Sequence, residues 1–550
     1  MVVKSDFPDV PIPNSPFYQV ILDAVWSHAS LNPNRIAVID GENESRTITF
    51  REIFFQSQSV ATFLHSHGFG HGDVAAVTLP NCWEYSVFFL GAAMRGGVVS
   101  GASPMFTDYE LERQFNDCKC KVVFTIDTAL AKVRVAAAKC PSIKVIIALK
   151  SDPKRQLPLD VANWDDMIRT QPDCHLPEVH HDLKNDLQLL PYSSGTTGAP
   201  KGVMLTHYNL VAMHSIFSSH SQNIMLPQID PNWQWDKEVQ LLFLPYSHIY
   251  GFFLMVNALV RGATAVVLRH FDAHNYLNAI QKYRVRMLNL VPPILVFLAK
   301  HPIVSKYDIS SVEFIMSGAA PAGKDLCEEL KARHPHVKAI TQGYGMTEMG
   351  MASHLPVIEF TRFGNAGKLA SNYEAKVVDV ATGKECGRNE KGELWVRSPS
   401  VMKGYLNRKE ATEETIDADG WLHTGDIGYH DDEGYLFIVD RLKELIKVRG
   451  FQVPPAELED LLLSHPGVQD AAVIGVPDQQ AGELPRAFIV RRDESLTETD
   501  VAEYVKSKVS YYKQLKGGVE FLKEIPKSPS GKILRRFLRD RMEANAKAKL

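Results

Sequence analysis

The 550-residue chain is poor in cysteine. Seven occur, Cys82, Cys118, Cys120, Cys140, Cys174, Cys327 and Cys386. An odd number at low density argues against a disulfide-built scaffold and fits a reducing compartment. Cys118-Lys-Cys120 has no second pair at zinc-finger spacing, so no cysteine metal centre is expected there. An excess of charge of one sign is also lacking. Lys and Arg number 60 against 64 Asp and Glu, for a formal net charge of -4. No long basic stripe interrupts that balance, which argues against a nucleic-acid partner. The first residues carry no charged segment followed by an apolar one, so no secretory signal is expected. The stretch 239–260 is apolar enough to be mistaken for a membrane span. It holds Gln240, Pro245, Ser247, His248 and Asn257, and reads better as a buried strand and helix flanking a loop. There is no internal repeat and no low-complexity linker.

What is present is a soluble, multi-unit α/β pattern. Apolar residues make up 45% and charged residues 23%, and the length predicts about three to five packed units at roughly 100–200 residues each. Apolar β-branched runs at 122–126, 145–149 and 265–268 predict buried strands. A strand at 312–316, a helix at 324–333 and a strand at 337–341 form a strand–helix–strand unit, the building block of parallel sheets, whose ligands bind beyond the carboxyl ends of the strands. Gly318 and Gly343 follow those two strands. The last hundred or so residues read as a separate small α+β unit. They hold a helix over 455–464 with proline near its start, strands at 471–476 and 486–490, and a capping box at Thr497-Glu-Thr-Asp500 opening a helix to about residue 508. The expected division is 1–442 and 443–550.

The densest chemical signal runs from Ser193 to Gly202. Ser193, Ser194, Gly195, Thr196, Thr197, Gly198 and Lys201 combine glycines, hydroxyls and one cation within ten positions. Glycines let backbone N–H groups approach an anion closely, hydroxyls donate to phosphate oxygens, and a lysine supplies full charge. The Walker A pattern cannot be laid on this string, which disfavours a P-loop kinase.

The string resembles the phosphate-loop signature of the adenylate-forming superfamily, which includes acyl-CoA synthetases, firefly luciferase and nonribosomal peptide adenylation domains. The likeness runs in order over nearly the whole chain, from Thr47-Ile-Thr-Phe-Arg-Glu52 onward. Leu244-Pro-Tyr-Ser-His-Ile-Tyr-Gly251, Ser317-Gly-Ala-Ala-Pro321, Gly343-Tyr-Gly-Met-Thr-Glu348 and Trp421-Leu-His-Thr-Gly-Asp426 look closest to the 4-coumarate:CoA ligase and luciferase branch. The resemblance implies a large N-terminal domain of several subdomains with parallel-type sheets and a small mobile C-terminal domain. It also implies ATP, Mg²⁺ and coenzyme A, and a reaction that joins a carboxylic acid to AMP and then to the thiol.

It implies roles residue by residue. Gly318, Ala319, Ala320, Pro321, Gln342, Gly343 and Gly345 would form a flat cradle for the purine, with Tyr344 stacked on it. Thr347 and Thr197 would donate to phosphate, and Glu348 would hold Mg²⁺. Asp426 and Arg441 would fix the ribose. His248 would lie beside the acyl carboxylate and gate the coenzyme A route. Lys532, in Pro529-Ser-Gly-Lys532, would bridge the acyl carboxylate and the α-phosphate. Lys443 matches the hinge about which the small domain turns. Lys447, Arg449, Gly450 and Gln452 would serve the thioester half-reaction. The acyl pocket is expected from Tyr250, residues 287–293, Ser317, Gly345, Met349 and Met351. The Met349-Gly-Met-Ala352 run departs from the Gly-Pro-Val usual in plant coumarate ligases. Flexible methionine favours a medium or long aliphatic acid, or a modified aromatic one. Ala548-Lys549-Leu550 resembles a Ser-Lys-Leu peroxisomal address, implying an import receptor as partner. The alternatives are a luciferase-like oxygenase, a carrier-protein-dependent adenylating module, and a non-catalytic acyl or nucleotide sensor.

Overall fold

A computed structural model describes residues 2–193, 200–358, 363–442, 444–449, 451–478, 480–528 and 531–547. Two of its sheets follow directly from apolar β-branched runs. The strands Val74–Thr78, Val98–Gly101, Val122–Ile126 and Val145–Leu149 pair in parallel as the centre of a nine-stranded sheet. Both faces of such strands are covered by helices, which is why they read as continuous apolar runs rather than alternating ones. A second sheet joins Val239–Leu242, Thr264–Val267 and Ile36–Asp40 in parallel, with Thr47–Thr49 antiparallel at its edge. The apolar stretch at 239–260 resolves into the first of these strands and the helix Ile249–Arg261. Among the described residues no helix is long and apolar enough to cross a membrane.

The third sheet positions the site. Met287–Leu290, Phe314–Ser317 and Ala339–Gln342 run in parallel, with Leu290 opposite Ser317 and Ser317 opposite Gln342. The helix Lys324–Arg333 connects the last two, as expected. Phe314–Ser317 and Ala339–Gln342 begin two residues later than their apolar runs and end one residue later, because pairing continues to the polar ends where Ser317 and Gln342 register. A fourth sheet departs from the parallel expectation. Val3–Lys4, Glu374–Val378, Gly392–Arg397, Leu422–His430 and Leu436–Arg441 are antiparallel throughout. Its strands Glu374–Val378 and Gly392–Arg397, and Leu422–His430 and Leu436–Arg441, are joined by connections that hold no crossover helix.

The main hydrophobic core gathers residues from Phe17 to Leu436, and a separate core begins at Ile446 and ends at Val519. The second belongs to a small α+β unit built on the long hairpin Val468–Asp478 and Gly482–Arg491. Helix Pro455–Leu463 packs on that sheet, and helix Glu498–Lys506 starts with the expected capping box, Thr497 with Asp500. Hydrogen bonds tie the two units. Asp440 Oδ2 accepts from the Ala456 N–H at 2.9 Å, and Lys300 donates to the Leu463 carbonyl at 3.2 Å.

Candidate active site

The carboxyl ends of the three-stranded sheet carry two loops, 317–323 and 343–351. Ala319 holds a left-handed backbone (φ +70°), which lets the first loop turn tightly. Gln342 clamps that loop from the neighbouring strand: its Oε1 accepts from the Ala322 N–H at 2.7 Å and its Nε2 donates to the Ala322 carbonyl at 2.9 Å. Gln342 therefore shapes the cradle formed by Gly318, Ala319, Ala320 and Pro321 through their backbone. Gly345 is fixed by a close approach, since a Cβ there would lie 1.8 Å from the Met351 carbonyl oxygen.

Tyr344 is buried, and its hydroxyl donates to Asp426 Oδ2 at 2.5 Å. Burial, reinforced by the Asp426 charge, raises that phenol well above its usual range. Arg441 Nε meets the other Asp426 oxygen at 3.2 Å. Asp426 and Arg441 meet because they are paired positions on adjacent antiparallel strands. Behind Tyr344 two buried histidines, His354 and His430, share a 3.0 Å Nε2–Nε2 hydrogen bond. Burial lowers both, so the pair is neutral and wedges the Tyr344 loop against the antiparallel sheet.

Glu348 is also buried, and Tyr405 donates its hydroxyl to Glu348 Oε1 at 2.9 Å. The Lys201 ammonium lies over the Tyr405 ring, 4.7 Å from its centroid. Tyr405 thus joins the end of the glycine–hydroxyl string to the Thr347–Glu348 turn. It arrives there because the short strand Gly404–Tyr405 pairs with Lys201–Thr206. Sequence reasoning missed it; the only signal is an aromatic beside glycine in Lys403-Gly-Tyr405, between the motifs at 343–348 and 421–426. Ser193 and Lys201 pair across the start of that hairpin. Ser194, Gly195, Thr196, Thr197 and Gly198 lie outside the described residues, as do Lys443 and Gly450.

His248 caps the helix Ile249–Arg261, its Nδ1 accepting from the Tyr250 N–H at 3.3 Å. Burial, with the Lys532 charge adding to it, lowers its pKa to about 4. The loop before it is clamped by Asn81, also missed from sequence. Asn81 donates to the Leu244 carbonyl at 2.9 Å and accepts from the Tyr246 N–H at 3.0 Å. Tyr250 lies against Gly318, and its hydroxyl is buried without a hydrogen-bond partner among the described residues. The hydroxyls of Ser317, Thr341 and Tyr276 are likewise buried and unpartnered. Met349 is fully buried in the main core, while Met351 keeps slight exposure.

Lys532 reaches this site from the small domain. Burial and the Arg441 charge lower its pKa to about 8, and Glu444, Asp426 and Glu348 pull the other way. Gly531 (φ +81°) sets its loop against Pro293. Lys447 and Arg449 lie elsewhere on the same domain. Both are exposed on the hairpin Ile446–Val448 and Phe451–Val453, where Lys447 and Gln452 are paired positions. The Lys447 N–H donates to Glu483, and Arg449 adopts a left-handed backbone (φ +49°).

The arrangement offers a hydroxyl-and-backbone cradle beside a buried carboxylate pair, with two cations entering from different domains. A family model for AMP-binding enzymes matches residues 25–406, and one for their C-terminal domain matches residues 457–532. The chain is 41% identical to 4-coumarate–CoA ligase 2 of Nicotiana tabacum, covering 99% of this chain and 98% of that protein. It is 40% identical to 4-coumarate–CoA ligase of Pinus taeda, covering 98% of each. Among solved structures, the anthranilate CoA ligase AuaEII in complex with anthranoyl-AMP superposes with a TM-score of 0.84. It is 25% identical and the match covers 98% of this chain and 99% of that one. ATP-bound MatB from Rhodopseudomonas palustris gives a TM-score of 0.80 at 27% identity, covering 95% and 98%.

Proposed function

The chain belongs to the family of AMP-binding enzymes and is an AMP-forming acid–thiol ligase, and from that premise we propose which residues carry each half-reaction and which acid it takes. The observation that carries the assignment is the convergence of Lys532 with Asp426, Arg441 and Glu348.

A thiol does not displace oxide or hydroxide from a carboxylate at useful rates, so the acid is first activated. A carboxylate oxygen attacks the α-phosphorus of ATP, the bond to the bridging oxygen breaks, and pyrophosphate leaves. Asp426, with Arg441 beside it, accepts hydrogen bonds from the ribose hydroxyls. Tyr344 and the backbone of 318–321 hold the base. Ser193, Thr197, Lys201 and Thr347 hold the phosphates. Glu348 offers the hard, buried carboxylate that Mg²⁺ prefers, and the ion would neutralise charge on the phosphates. Lys532 places a positive charge between carboxylate and α-phosphate, where negative charge builds.

In the second half-reaction the thiol gives its proton to solvent, its sulfur attacks the acyl carbon, a C–S bond forms, and the C–O bond to AMP breaks. Lys532 occupies the site in this arrangement, while Lys447, Arg449 and Gln452 stand on another hairpin of the same small domain. Rotation of that domain near Lys443 would exchange the two sets. His248, held neutral beside Lys532, is placed to open or close the thiol route.

The acid we propose is of the 4-coumarate type. The methionine run alone favours an aliphatic chain, but two observations outweigh it. Met349 is fully buried in the core, and the unpartnered Tyr250 and Ser317 hydroxyls suit an acid bearing polar groups better than a bare alkyl tail. The whole-length relatives named above are 4-coumarate ligases. The test is a panel of hydroxycinnamic, benzoic and fatty acids assayed for pyrophosphate release with and without coenzyme A. Thiol-dependent turnover highest on hydroxycinnamates supports the reading, and turnover confined to fatty acids refutes it. We further propose that Ala548-Lys549-Leu550, outside the described residues, is a peroxisomal address. A fluorescent protein carrying the C-terminal segment should enter peroxisomes and lose that location when Leu550 is deleted.

A further inference from the structure

A second cluster of chemistry-bearing side chains lies away from the adenylating site. His71 stands in the turn before the strand Val74–Thr78, and His181 and Asp186 lie in the segment entering the strand Leu187–Leu189. One ring nitrogen of each histidine and a carboxylate oxygen of Asp186 lie within 4.8 Å of one another. His71 Nε2 and Asp186 Oδ2 are 2.8 Å apart. An exposed His–Asp pair would explain two of these residues. It does not explain His181, whose two ring nitrogens are both shielded from solvent and both without a hydrogen-bond partner among the described residues. Leaving both polar atoms of an imidazole unmet is costly, and such groups call for a partner.

The surroundings orient the three donors. The His181 ring is held edge-on by His207 and Tyr18, with centroids 4.6 and 5.5 Å away. His207 accepts from the Phe17 N–H through Nδ1 at 3.3 Å, so its proton rests on Nε2 and it offers no free ring lone pair to an ion. The Asp182 N–H donates to Asp186 Oδ2 at 2.9 Å, an outer hydrogen bond of the kind that steadies ligand carboxylates. A cavity of about 980 Å³, bordered by His181, opens beside the cluster and gives an entry path for a hydrated ion.

We propose that His71, His181 and Asp186 bind a divalent cation of the zinc class, with water completing a tetrahedron. Two imidazoles and one carboxylate form a donor set typical of zinc sites with an open fourth position. Imidazole donors also select against Mg²⁺ and Ca²⁺. Tetrahedral donors about 2.0–2.1 Å from the ion sit roughly 3.3–3.4 Å apart, so any separation near the 4.8 Å bound must close, and His71 must move off Asp186, 2.8 Å away, by about half an ångström. Its side chain is 51% exposed and free to do so. The ion would staple the turn at 70–73 to the segment at 181–186, supporting the strand that leads toward Ser193. Its role is structural, so the acid and nucleotide chemistry does not depend on it directly.

The experiment uses the full chain, stripped of metal and held in excess MgCl₂. ZnCl₂ is titrated by calorimetry, and CoCl₂ by visible absorption. We expect one Zn²⁺ per chain, a rise in melting temperature, and Co²⁺ bands without thiolate charge transfer. His71→Ala and Asp186→Asn should each weaken binding by at least about tenfold, and Cys174→Ser should bind as the parent does. His71 is exposed and Asp186→Asn keeps the shape, so both variants should fold. Absence of saturable binding, a thiolate band, or unchanged affinity in His71→Ala and Asp186→Asn would overturn the site.

Discussion

Lys532 is a cation held where cations are disfavoured. Burial and Arg441 bring its pKa to about 8, so in the free enzyme it keeps its proton below that pH and loses it above. The charge proposed to act between carboxylate and α-phosphate is therefore lost as pH rises. The kcat/KM for pyrophosphate exchange should fall through an apparent pKa near 8, since this ratio reports the free enzyme. Bound ATP adds negative charge, which favours the protonated lysine, so the limb in kcat should lie higher. Lys532→Arg should abolish the limb even though its absolute rate drops, because arginine does not titrate in this range. His248, at about 4, stays neutral from pH 5 to 9. An inflection near 6.5 that vanishes in His248→Ala would contradict that state. Tyr405→Phe keeps the ring beneath Lys201 and removes only the hydrogen bond to Glu348. Bonds to charged groups contribute about 1.5–3 kcal/mol, so kcat/KM should fall by roughly ten- to a hundredfold, checked by exchange kinetics at varied MgATP.

At the scale of elements, the loops that form the site are shaped by backbone contacts that tolerate no side chain. A Cβ on Gly251 would meet the Pro245 carbonyl oxygen at 2.3 Å, and one on Gly345 the Met351 oxygen at 1.8 Å. Overpacking of this kind costs about 1–3 kcal/mol. Gly345→Ala should lower the melting temperature and raise KM for ATP together; a variant with parental values of both would show that the loop yields freely. The strands Val122–Ile126 and Val145–Leu149 and the helix Lys324–Arg333 were legible because each carries its own period and its own ends. The capping box at Thr497 was legible for the same reason. Asn81 and Tyr405 were not, because their roles come from pairing with residues far along the chain. Asn81 reaches Leu244 and Tyr246, and Tyr405 reaches Lys201 and Glu348. Nothing in the local pattern around either residue records those partners.

At the scale of the molecule, two cores are joined through a polar junction. Asp440 meets the first turn of helix Pro455–Leu463, Lys300 meets its end, and Lys532 lies near Arg441, Asp426 and Glu348 of the large domain. Polar junctions of this kind allow relative motion of domains. The candidate site was readable as an ordered string of motifs, and the structure brings Lys201 near Glu348 through Tyr405, and Tyr344, Arg441 and Lys532 near Asp426. Which face of the small domain looks inward was not readable, since Lys532 and Lys447 lie on the same domain and sequence order does not say which is docked. Pyrophosphate exchange and coenzyme A-dependent AMP release, measured on Lys532→Ala and Lys447→Ala, separate the two faces. The account predicts that Lys532→Ala loses at least about a hundredfold in exchange, the scale of one transition-state donor. It predicts that Lys447→Ala exchanges normally and fails only when the thiol must react. Exchange at the parental rate in Lys532→Ala would contradict it.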